Sequence, residues 1–303
     1  MRYRTLGGNG FRVSAIGLGA MPLSIEGHPD ERQAVATVHA ALDAGVTLID
    51  TADSYYAPGG EPGPGELLVA RALAAYGGDA DAVLVATKGG RGRTDDGDWT
   101  VNGDPEYLKR AAKASLARLG GPAIGLYQLH KPDPAVPFAE SLGALSELLD
   151  EGTIRLAGIS NVNVGQIRLA REMLGDRLVS VQNRYSAAMR DGEAELRLCA
   201  ELGLAFMPWS PLGGISRSSL DGRSGGPEEQ GPYAAFHTVA RNHGASPQQV
   251  ALAWLLARSS TVIPIPGASR PQSIRDSAAA AELVLSEEEL AALDATGTAA
   301  AAD

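Results

Sequence analysis

Four ionisable side chains stand at or just after the downstream ends of three short apolar runs. The runs are 46–50, which ends at Asp50 and is followed in the next turn by Tyr55, 83–88, which ends at Lys88, and 124–130, which ends at His130. Apolar runs of this length predict buried strands, and parallel strands deliver their last residues to the same end of a sheet or barrel. We therefore predict one site that gathers a carboxylate, a phenol, an ammonium and an imidazole, which are groups suited to proton transfer.

Five more apolar runs bring the total to eight. They cover residues 15–21, 154–160, 178–183, 204–209 and 261–267, and amphipathic helical patterns follow most of them. Alternation of buried strands with helices predicts an α/β fold with a parallel sheet. Eight such units in 303 residues favour a closed (β/α)₈ TIM barrel over an open doubly wound sheet. We predict a single barrel domain over residues 1–303, with a disordered Ala-rich tail at about 297–303.

Two segments lie outside the eightfold pattern. The opening YRTLGGNGFRVS has two short arms around a Gly-Gly-Asn-Gly turn, which predicts a β-hairpin that plugs the amino-terminal mouth of the barrel. Near the other end, residues 247–258 and 286–295 predict additional C-terminal helices, the second with Ser286 and Glu289 in capping-box spacing.

Composition narrows the class of protein. The formal net charge of −10 argues against nucleic-acid binding, which needs a basic surface. No run approaches the ~20 apolar residues that span a bilayer, and the N-terminus lacks the apolar core of a signal peptide, so we predict a cytoplasmic protein without membrane partners.

Cys199 is the single cysteine, and we expect it to be a small core residue. No His/Cys cluster has metal-ligand spacing, so no metal is expected. The oligomeric state is not predicted.

Three loops rich in Gly, Pro or polar residues follow predicted strands. They cover residues 57–66, 89–103 and 211–232. Loops after barrel strands form the pocket and its lid. The outer part of the third loop is expected to be tolerant surface, whereas the apolar Trp99 in the second is expected to face a ligand.

Seven segments together resemble the aldo-keto reductase superfamily, in order and over nearly the whole chain. They are GVTLIDTADSYY, VLVATKGG, LYQLHKPD, GISN, VQNRYS, PWSPLGG and IPGASRPQSIRDS. The resemblance implies a (β/α)₈ barrel that binds a nicotinamide dinucleotide, usually NADPH, in extended form at the carboxyl ends of the strands, with no Rossmann domain and no metal. Gly17-Leu18-Gly19 lacks the third glycine of a dinucleotide fingerprint, in agreement with that expectation.

The resemblance also implies a role for each of the four ionisable residues. Tyr55 would be the general acid that protonates the substrate oxygen as hydride arrives. Lys88 would favour the phenolate and acidify the phenol, and Asp50 would hold Lys88 in place. His130 would orient the carbonyl and donate a hydrogen bond to it.

Nucleotide-binding positions follow from the same resemblance. Ser160, Asn161 and Gln182 would bind the nicotinamide carboxamide, Trp209 would stack on the ring, and Arg270 would contact the 2′-phosphate of NADP(H). The full implied set is Gly19, Ala20, Met21, Asp50, Ser160, Asn161, Gln182, Trp209, Ser210, Pro211, Leu212, Gly213, Gly267, Ser269, Arg270, Ser273, Asp276 and Ser277.

The function expected from this resemblance is an NADP-dependent oxidoreductase that interconverts a small-molecule aldehyde or ketone and an alcohol. The expected substrate pocket is mostly apolar and aromatic, which suits a small hydrophobic or aromatic aldehyde. Its members are Met21, Leu23, Tyr56, Trp99 and His130. Two alternatives stay open: a nucleotide-binding regulatory subunit with incidental turnover, and a Schiff-base aldolase in which Lys88 attacks a carbonyl.

Overall fold

The computed structural model describes residues 1–8, 10–213, 215 and 233–296. Its strands are β1 (Tyr3–Leu6), β2 (Phe11–Ser14), β3 (Leu18–Gly19), β4 (Leu48–Asp50), β5 (Leu84–Gly89), β6 (Arg91–Arg93), β7 (Trp99–Val101), β8 (Ile124–Leu129), β9 (Ile154–Ser160), β10 (Leu178–Gln182) and β11 (Ala205–Phe206). Its helices are α1 (Glu31–Asp43), α2 (Pro64–Ala74), α3 (Pro105–Leu119), α4 (Phe138–Asp150), α5 (Val164–Leu174), α6 (Glu193–Leu202), α7 (Ala234–His243), α8 (Pro247–Arg258), α9 (Pro271–Ala279) and α10 (Glu287–Asp294).

Seven parallel strands form a curved sheet in the order β11-β10-β9-β8-β5-β4-β3. The eighth apolar run, 261–267, closes it, because it bridges Phe206 on one side and Gly19 on the other. Pro264 and Pro266 have no N–H to give to a ladder, which keeps this segment from being a regular strand. Their carbonyls still accept hydrogen bonds from the first barrel strand segment at 2.9 Å. The predicted (β/α)₈ barrel is confirmed.

The predicted hairpin is formed by β1 and β2, which pair antiparallel. Leu6 and Val13 are fully buried and belong to the same apolar cluster as the side chains inside the barrel, such as Leu48 and Leu126. Gly7 has φ +70°, and a Cβ there would lie 2.8 Å from Val179 at the start of β10. The hairpin therefore covers the amino-terminal mouth of the barrel, as expected. Asn9 of its turn lies outside the described residues.

The helices surround the sheet and bury their apolar faces against its outer side. The predicted capping box is present at α10, where Ser286 accepts from the Glu289 amide and Glu289 accepts from the Ser286 amide. Helix α8 precedes the eighth run, so it belongs to the seventh βα unit, and α10 is the helix added after the eight units. Helix α7 was not predicted. The tail 297–303 and most of the third loop lie outside the described residues.

Within the described ranges, none of the helices combines the length and hydropathy that a membrane crossing requires.

Candidate active site

The two-residue period of the barrel strands decides which side chains face the site. In β5, Leu84 and Ala86 point into the barrel, and Lys88 follows at the same parity. Leu48 in β4 likewise points inward, so Asp50 does too. Lys88 is completely buried, and its Nζ donates to Asp50 Oδ2 at 2.6 Å, the Thr51 carbonyl at 2.9 Å and the Tyr55 hydroxyl at 3.0 Å.

The other oxygen of Asp50 is also occupied. Its Oδ1 accepts from Gln182 Nε2 at 2.8 Å and from Gln128 Nε2 at 3.2 Å. Gln182 was expected at the nicotinamide carboxamide, whereas Gln128 was not predicted at all. Because both amides hold the carboxylate from across the barrel, Asp50 is fixed in the geometry that receives the Lys88 ammonium.

The protonation states of Tyr55 and Lys88 follow from burial and from their mutual contact. Burial lowers the pKa of Lys88, but Asp50 and Tyr55 outweigh it, so the net pKa is raised and the ammonium is charged. Burial raises the pKa of Tyr55, Lys88 opposes that effect, and the net pKa is raised. Lys88 thus lowers the pKa of Tyr55, as expected, but burial raises that pKa by more. The phenol is protonated near neutral pH, which is the form that a general acid needs.

These states bear on the aldolase alternative. A Schiff-base lysine attacks as the neutral amine. The ion pair with Asp50 raises the pKa of Lys88 and keeps it charged, and the Tyr55 hydroxyl shares the same ammonium. The contacts therefore disfavour nucleophilic chemistry at this lysine.

His130 lies beside Tyr55 at the end of β8. The two rings meet edge to face with centroids 5.7 Å apart, and His130 Nδ1 is 3.3 Å from Ser54 Oγ. Burial, with Lys88 and Arg91 nearby, holds the pKa of His130 well below its ordinary value. The imidazole is neutral and can donate one hydrogen bond without carrying charge.

A cavity of about 410 Å³ opens above these residues. It is lined by Gly19, Met21, Pro22, Asp50, Tyr55, Arg91, Trp99, His130, Ser160, Asn161, Gln182, Trp209, Ser210, Ile265 and Gly267. All of these except Pro22, Arg91 and Ile265 were predicted from the sequence. The structure therefore brings Asp50, Tyr55, His130 and the nicotinamide-end positions together on one cavity, with Lys88 buried directly beneath it.

Two cavity residues have left-handed backbone. Asn161 has φ 59° and Ser210 has φ 48°, and they are the non-glycine residues with positive φ in the described part of the chain. Such backbone is strained and concentrates at functional sites. The Asn161 amide donates to the His130 carbonyl at 2.9 Å and accepts from Trp209 Nε1 at 3.2 Å. One side chain thus links the imidazole strand to the indole.

Two predicted pocket residues do not line the cavity. Leu23 is buried in the apolar cluster under α1 and α2. Tyr56 is buried with its hydroxyl turned toward the β6 backbone, where it accepts from the Arg93 amide at 3.0 Å. Both positions are corrected to supporting roles behind the cavity, because packing and a hydrogen bond turn their side chains away from it.

The remaining predicted nucleotide positions lie outside this cavity. They are Ala20, Pro211, Leu212, Gly213, Ser269, Arg270, Ser273, Asp276 and Ser277. Arg270 is the N-cap residue of α9, and the Ser269 carbonyl accepts from Gln33. The Asp276 carboxylate accepts from Ser246 Oγ and Gln249 Nε2, both at 2.7 Å. In this structure Asp276 therefore joins α9 to the start of α8.

An acidic side chain not singled out in the sequence lies directly behind the site. The Asp53 amide donates to the Lys88 carbonyl at 3.2 Å, and its buried Oδ1 has no hydrogen-bond partner among the described residues. Nearby, buried Glu66 accepts from Thr87 Oγ1 and Arg118 Nε, both at 2.5 Å. Burial and the Glu66 charge raise the pKa of Asp53 to about 8. The Asp53 carboxyl, two residues before Tyr55, is therefore mostly protonated at neutral pH.

This protonation predicts a pH-dependent stability that Asp53→Asn removes. The pKa of Asp53 is about 8 in the folded chain, against ~3.9 for an unperturbed Asp. Its contribution is therefore complete below pH ~4 and is lost as pH rises through 8, with a slope of up to about 1.4 kcal/mol per pH unit. Asparagine does not titrate, so the variant should lose less stability between pH 5 and 8. Urea unfolding at both pH values checks this, with Asp96→Asn on an exposed loop as control. Parallel pH curves for wild type and D53N would contradict it.

Comparison with known proteins gives one consistent result. A model of the Aldo/keto reductase family matches residues 15–297. An uncharacterised oxidoreductase of Schizosaccharomyces pombe is 34% identical over 289 residues, covering 94% of this chain and 87% of the relative. The glycerol dehydrogenase of Gluconobacter oxydans is similar with TM-score 0.80 and 28% identity, over 96% of this chain and 94% of that one. An aldo/keto reductase from Klebsiella pneumoniae, solved with NADP and acetate, is similar with TM-score 0.76 and 29% identity, over 97% and 95% of the two chains.

Proposed function

Because the chain belongs to the aldo/keto reductase family, we propose that it is an NADP-dependent carbonyl reductase that reversibly interconverts an aldehyde or ketone and an alcohol. The observation that carries this proposal is the buried chain Asp50–Lys88–Tyr55, with contacts of 2.6 and 3.0 Å, which ends at a protonated phenol on the cavity wall. A carbonyl oxygen placed at that hydroxyl can receive its proton, and the Lys88 ammonium stabilises the phenolate that remains.

His130 complements Tyr55 on the same wall of the cavity. As a neutral imidazole it can donate a hydrogen bond to the carbonyl oxygen without competing for the proton. Ser54 and the Asn161 contact to the His130 carbonyl fix the position of this residue. Two donors from different strands thus converge on the place where negative charge develops.

The site also fits a nicotinamide nucleotide. When bound, NADPH supplies hydride from C4 of its nicotinamide. Trp209, held by Asn161, offers an aromatic face for stacking. Gln182 gives its amide nitrogen to Asp50, which leaves its carbonyl oxygen as the atom that can accept from a carboxamide. Ser186 Oγ is buried without a partner among the described residues and lies beside Gly213, where a hydroxyl and backbone amides suit a pyrophosphate.

The expected contact between Arg270 and the 2′-phosphate of NADPH predicts that Arg270→Ala weakens the binding of NADPH but not that of NADH. Arg270 opens α9, whose amino terminus favours phosphate, and a charge-assisted contact contributes ~1.5–3 kcal/mol. We expect the KM for NADPH to rise by about 10-fold or more, while the KM for NADH changes little because NADH has no 2′-phosphate. Steady-state kinetics with both nucleotides measure this. Arg275→Ala, an exposed arginine on the same helix, is the control. Equal increases for both nucleotides would contradict the assignment.

The reaction itself is tested by following NADPH absorbance with a panel of aldehydes and ketones. We expect oxidation of NADPH with a subset of the panel and no substrate trapped on Lys88 by borohydride. Stoichiometric NADPH binding without oxidation across the panel would contradict the proposal and favour the regulatory-subunit alternative.

A further inference from the structure

Arg91 is a cation in the cavity for which the proposed reaction has no use. It begins β6 directly after the third barrel strand, it is half-buried, and its guanidinium carbon lies 4.4 Å from the centre of the Trp99 ring. Its buried Nε has no hydrogen-bond partner, and no carboxylate among the described residues pairs with it. Partial burial of a guanidinium without a counter-ion is energetically unfavourable, and an anion bound there would offset that cost.

Arg93, two residues further along β6, shows the contrast. Its guanidinium carbon also lies over the Trp99 ring, 4.6 Å from the ring centre. Its guanidinium pairs with both oxygens of Glu26 at 2.8 and 2.5 Å and also donates to the Tyr56 and Gly97 carbonyls. Arg93 therefore holds the β6–β7 hairpin in place, and its charge is neutralised. Arg91 is not needed for that anchoring.

The electrostatic surroundings place Arg91 close to the reacting groups. It lowers the pKa of both Tyr55 and His130, although burial dominates the shift of each. Lys88, the other cation beneath the cavity, is neutralised by Asp50. In a chain with a formal net charge of −10, Arg91 is thus a local positive centre beside the proton donors.

The position of Arg91 in the barrel separates it from the expected phosphates of the nucleotide. It follows β5, the third barrel strand, whereas the expected pyrophosphate position follows β11, the seventh. Third and seventh strands face each other across an eight-stranded barrel. The anion that Arg91 can hold therefore lies on the substrate side of the cavity.

We propose that Arg91 is a specificity-determining residue that binds a carboxylate of the substrate while the carbonyl of the same molecule lies at Tyr55 and His130. The substrate class is then an aldehyde or ketone that carries a carboxylate at the far end, rather than a neutral hydrophobic aldehyde. The planar guanidinium matches a carboxylate with two parallel hydrogen bonds, and Trp99 supplies an apolar wall beside it. This inference rests on the proposed carbonyl reduction.

A matched pair of substrates tests the inference. 4-Carboxybenzaldehyde and methyl 4-formylbenzoate have the same reacting aldehyde and similar size, and differ in charge. We expect wild type to prefer the acid, and Arg91→Gln to raise the KM for the acid by at least about 10-fold with kcat nearly unchanged, since uniform binding is lost. The ester should change by less than about threefold. Arg91→Lys should recover part of the affinity, because it keeps the charge but loses the fork.

Controls separate this effect from general damage. Arg12→Gln removes an equal charge from an exposed arginine on the amino-terminal hairpin, at the opposite end of the barrel, and should leave both substrates unaffected. A thermal midpoint of R91Q close to that of wild type excludes misfolding. Equal losses of kcat/KM for acid and ester in R91Q, or no preference for the acid in wild type, would overturn the inference while leaving carbonyl reduction intact.

Binding without turnover provides an independent readout. Calorimetric titration of 4-(hydroxymethyl)benzoate and its methyl ester into the NADPH complex measures charge-dependent affinity with no reaction possible. Loss of acid binding in R91Q, with no reduction of any aldehyde by wild type, would support the anion site and refute the reductase proposal. Equal affinity of wild type and R91Q for the acid would overturn the anion site.

Discussion

Tyr55→Phe should lower kcat for carbonyl reduction by about 10²–10⁴-fold, which is the usual contribution of a positioned general acid. The substitution removes the Tyr55 hydroxyl, whose oxygen accepts a hydrogen bond from Lys88 Nζ at 3.0 Å, and with it the proton for the substrate oxygen. The ring remains, so its edge-to-face packing with His130 and the shape of the cavity are kept. We therefore expect the dissociation constant for NADPH to change little. Single-turnover oxidation of NADPH and nucleotide titration measure the two quantities separately.

The neighbouring residue offers a matched control. Tyr56 is as buried as Tyr55, but its hydroxyl accepts from the Arg93 amide behind the cavity. Tyr56→Phe removes the same atom one residue away and should change kcat by less than about threefold, with a small loss of stability of ~1 kcal/mol from the lost hydrogen bond. Full activity in Y55F, or equal losses in both variants, would refute the general-acid role.

Lys88→Met should be the most destabilising single change at the site. It leaves the Asp50 carboxylate buried with two neutral amides and no cation. Breaking a buried ion pair in this way costs about 3–5 kcal/mol. Activity should be abolished, since the phenolate has lost its counter-charge. Urea unfolding and NADPH oxidation measure the two effects.

A double variant separates the two roles of Lys88. Asp50→Asn combined with Lys88→Met removes both charges, and such replacements are often nearly neutral for stability. The double variant should therefore recover most of the free energy of unfolding lost in K88M while remaining inactive. A double variant as unstable as K88M would show that the instability comes from lost packing rather than from the buried carboxylate.

Several features of the site were accessible from local patterns. Apolar runs of five to seven residues alternating with amphipathic helices specify a parallel barrel, and the residues that end those runs must share one rim. The sequence alone therefore predicts that Asp50, Tyr55, Lys88 and His130 lie together. The hairpin plug and the capping box of α10 were equally local, because each depends on residues a few positions apart.

Other features depend on which distant residues meet. Gln128 reaches Asp50 from a strand 78 positions away, which no spacing rule anticipates. Within the described ranges Arg91 has no carboxylate partner, whereas Arg93, with the same side chain two residues further on, is neutralised by Glu26. The sequence does not distinguish these two arginines. Tyr56 was expected in the pocket from its place in the chain, but its hydroxyl accepts a hydrogen bond from the backbone amide of Arg93 in β6.

The residue types and their periodicity thus specify the barrel, its rim and the chemical groups gathered there, because both depend on short-range order along the chain. The tertiary packing determines the pKa values of those groups and which of them form ion pairs. The pKa of Tyr55 rises although Lys88 acts to lower it, the pKa of Asp53 reaches about 8, and no carboxylate in the described part of the chain pairs with Arg91. Each of these outcomes is set by desolvation and by charges brought close from remote parts of the chain, and such quantities exist only once the molecule is folded.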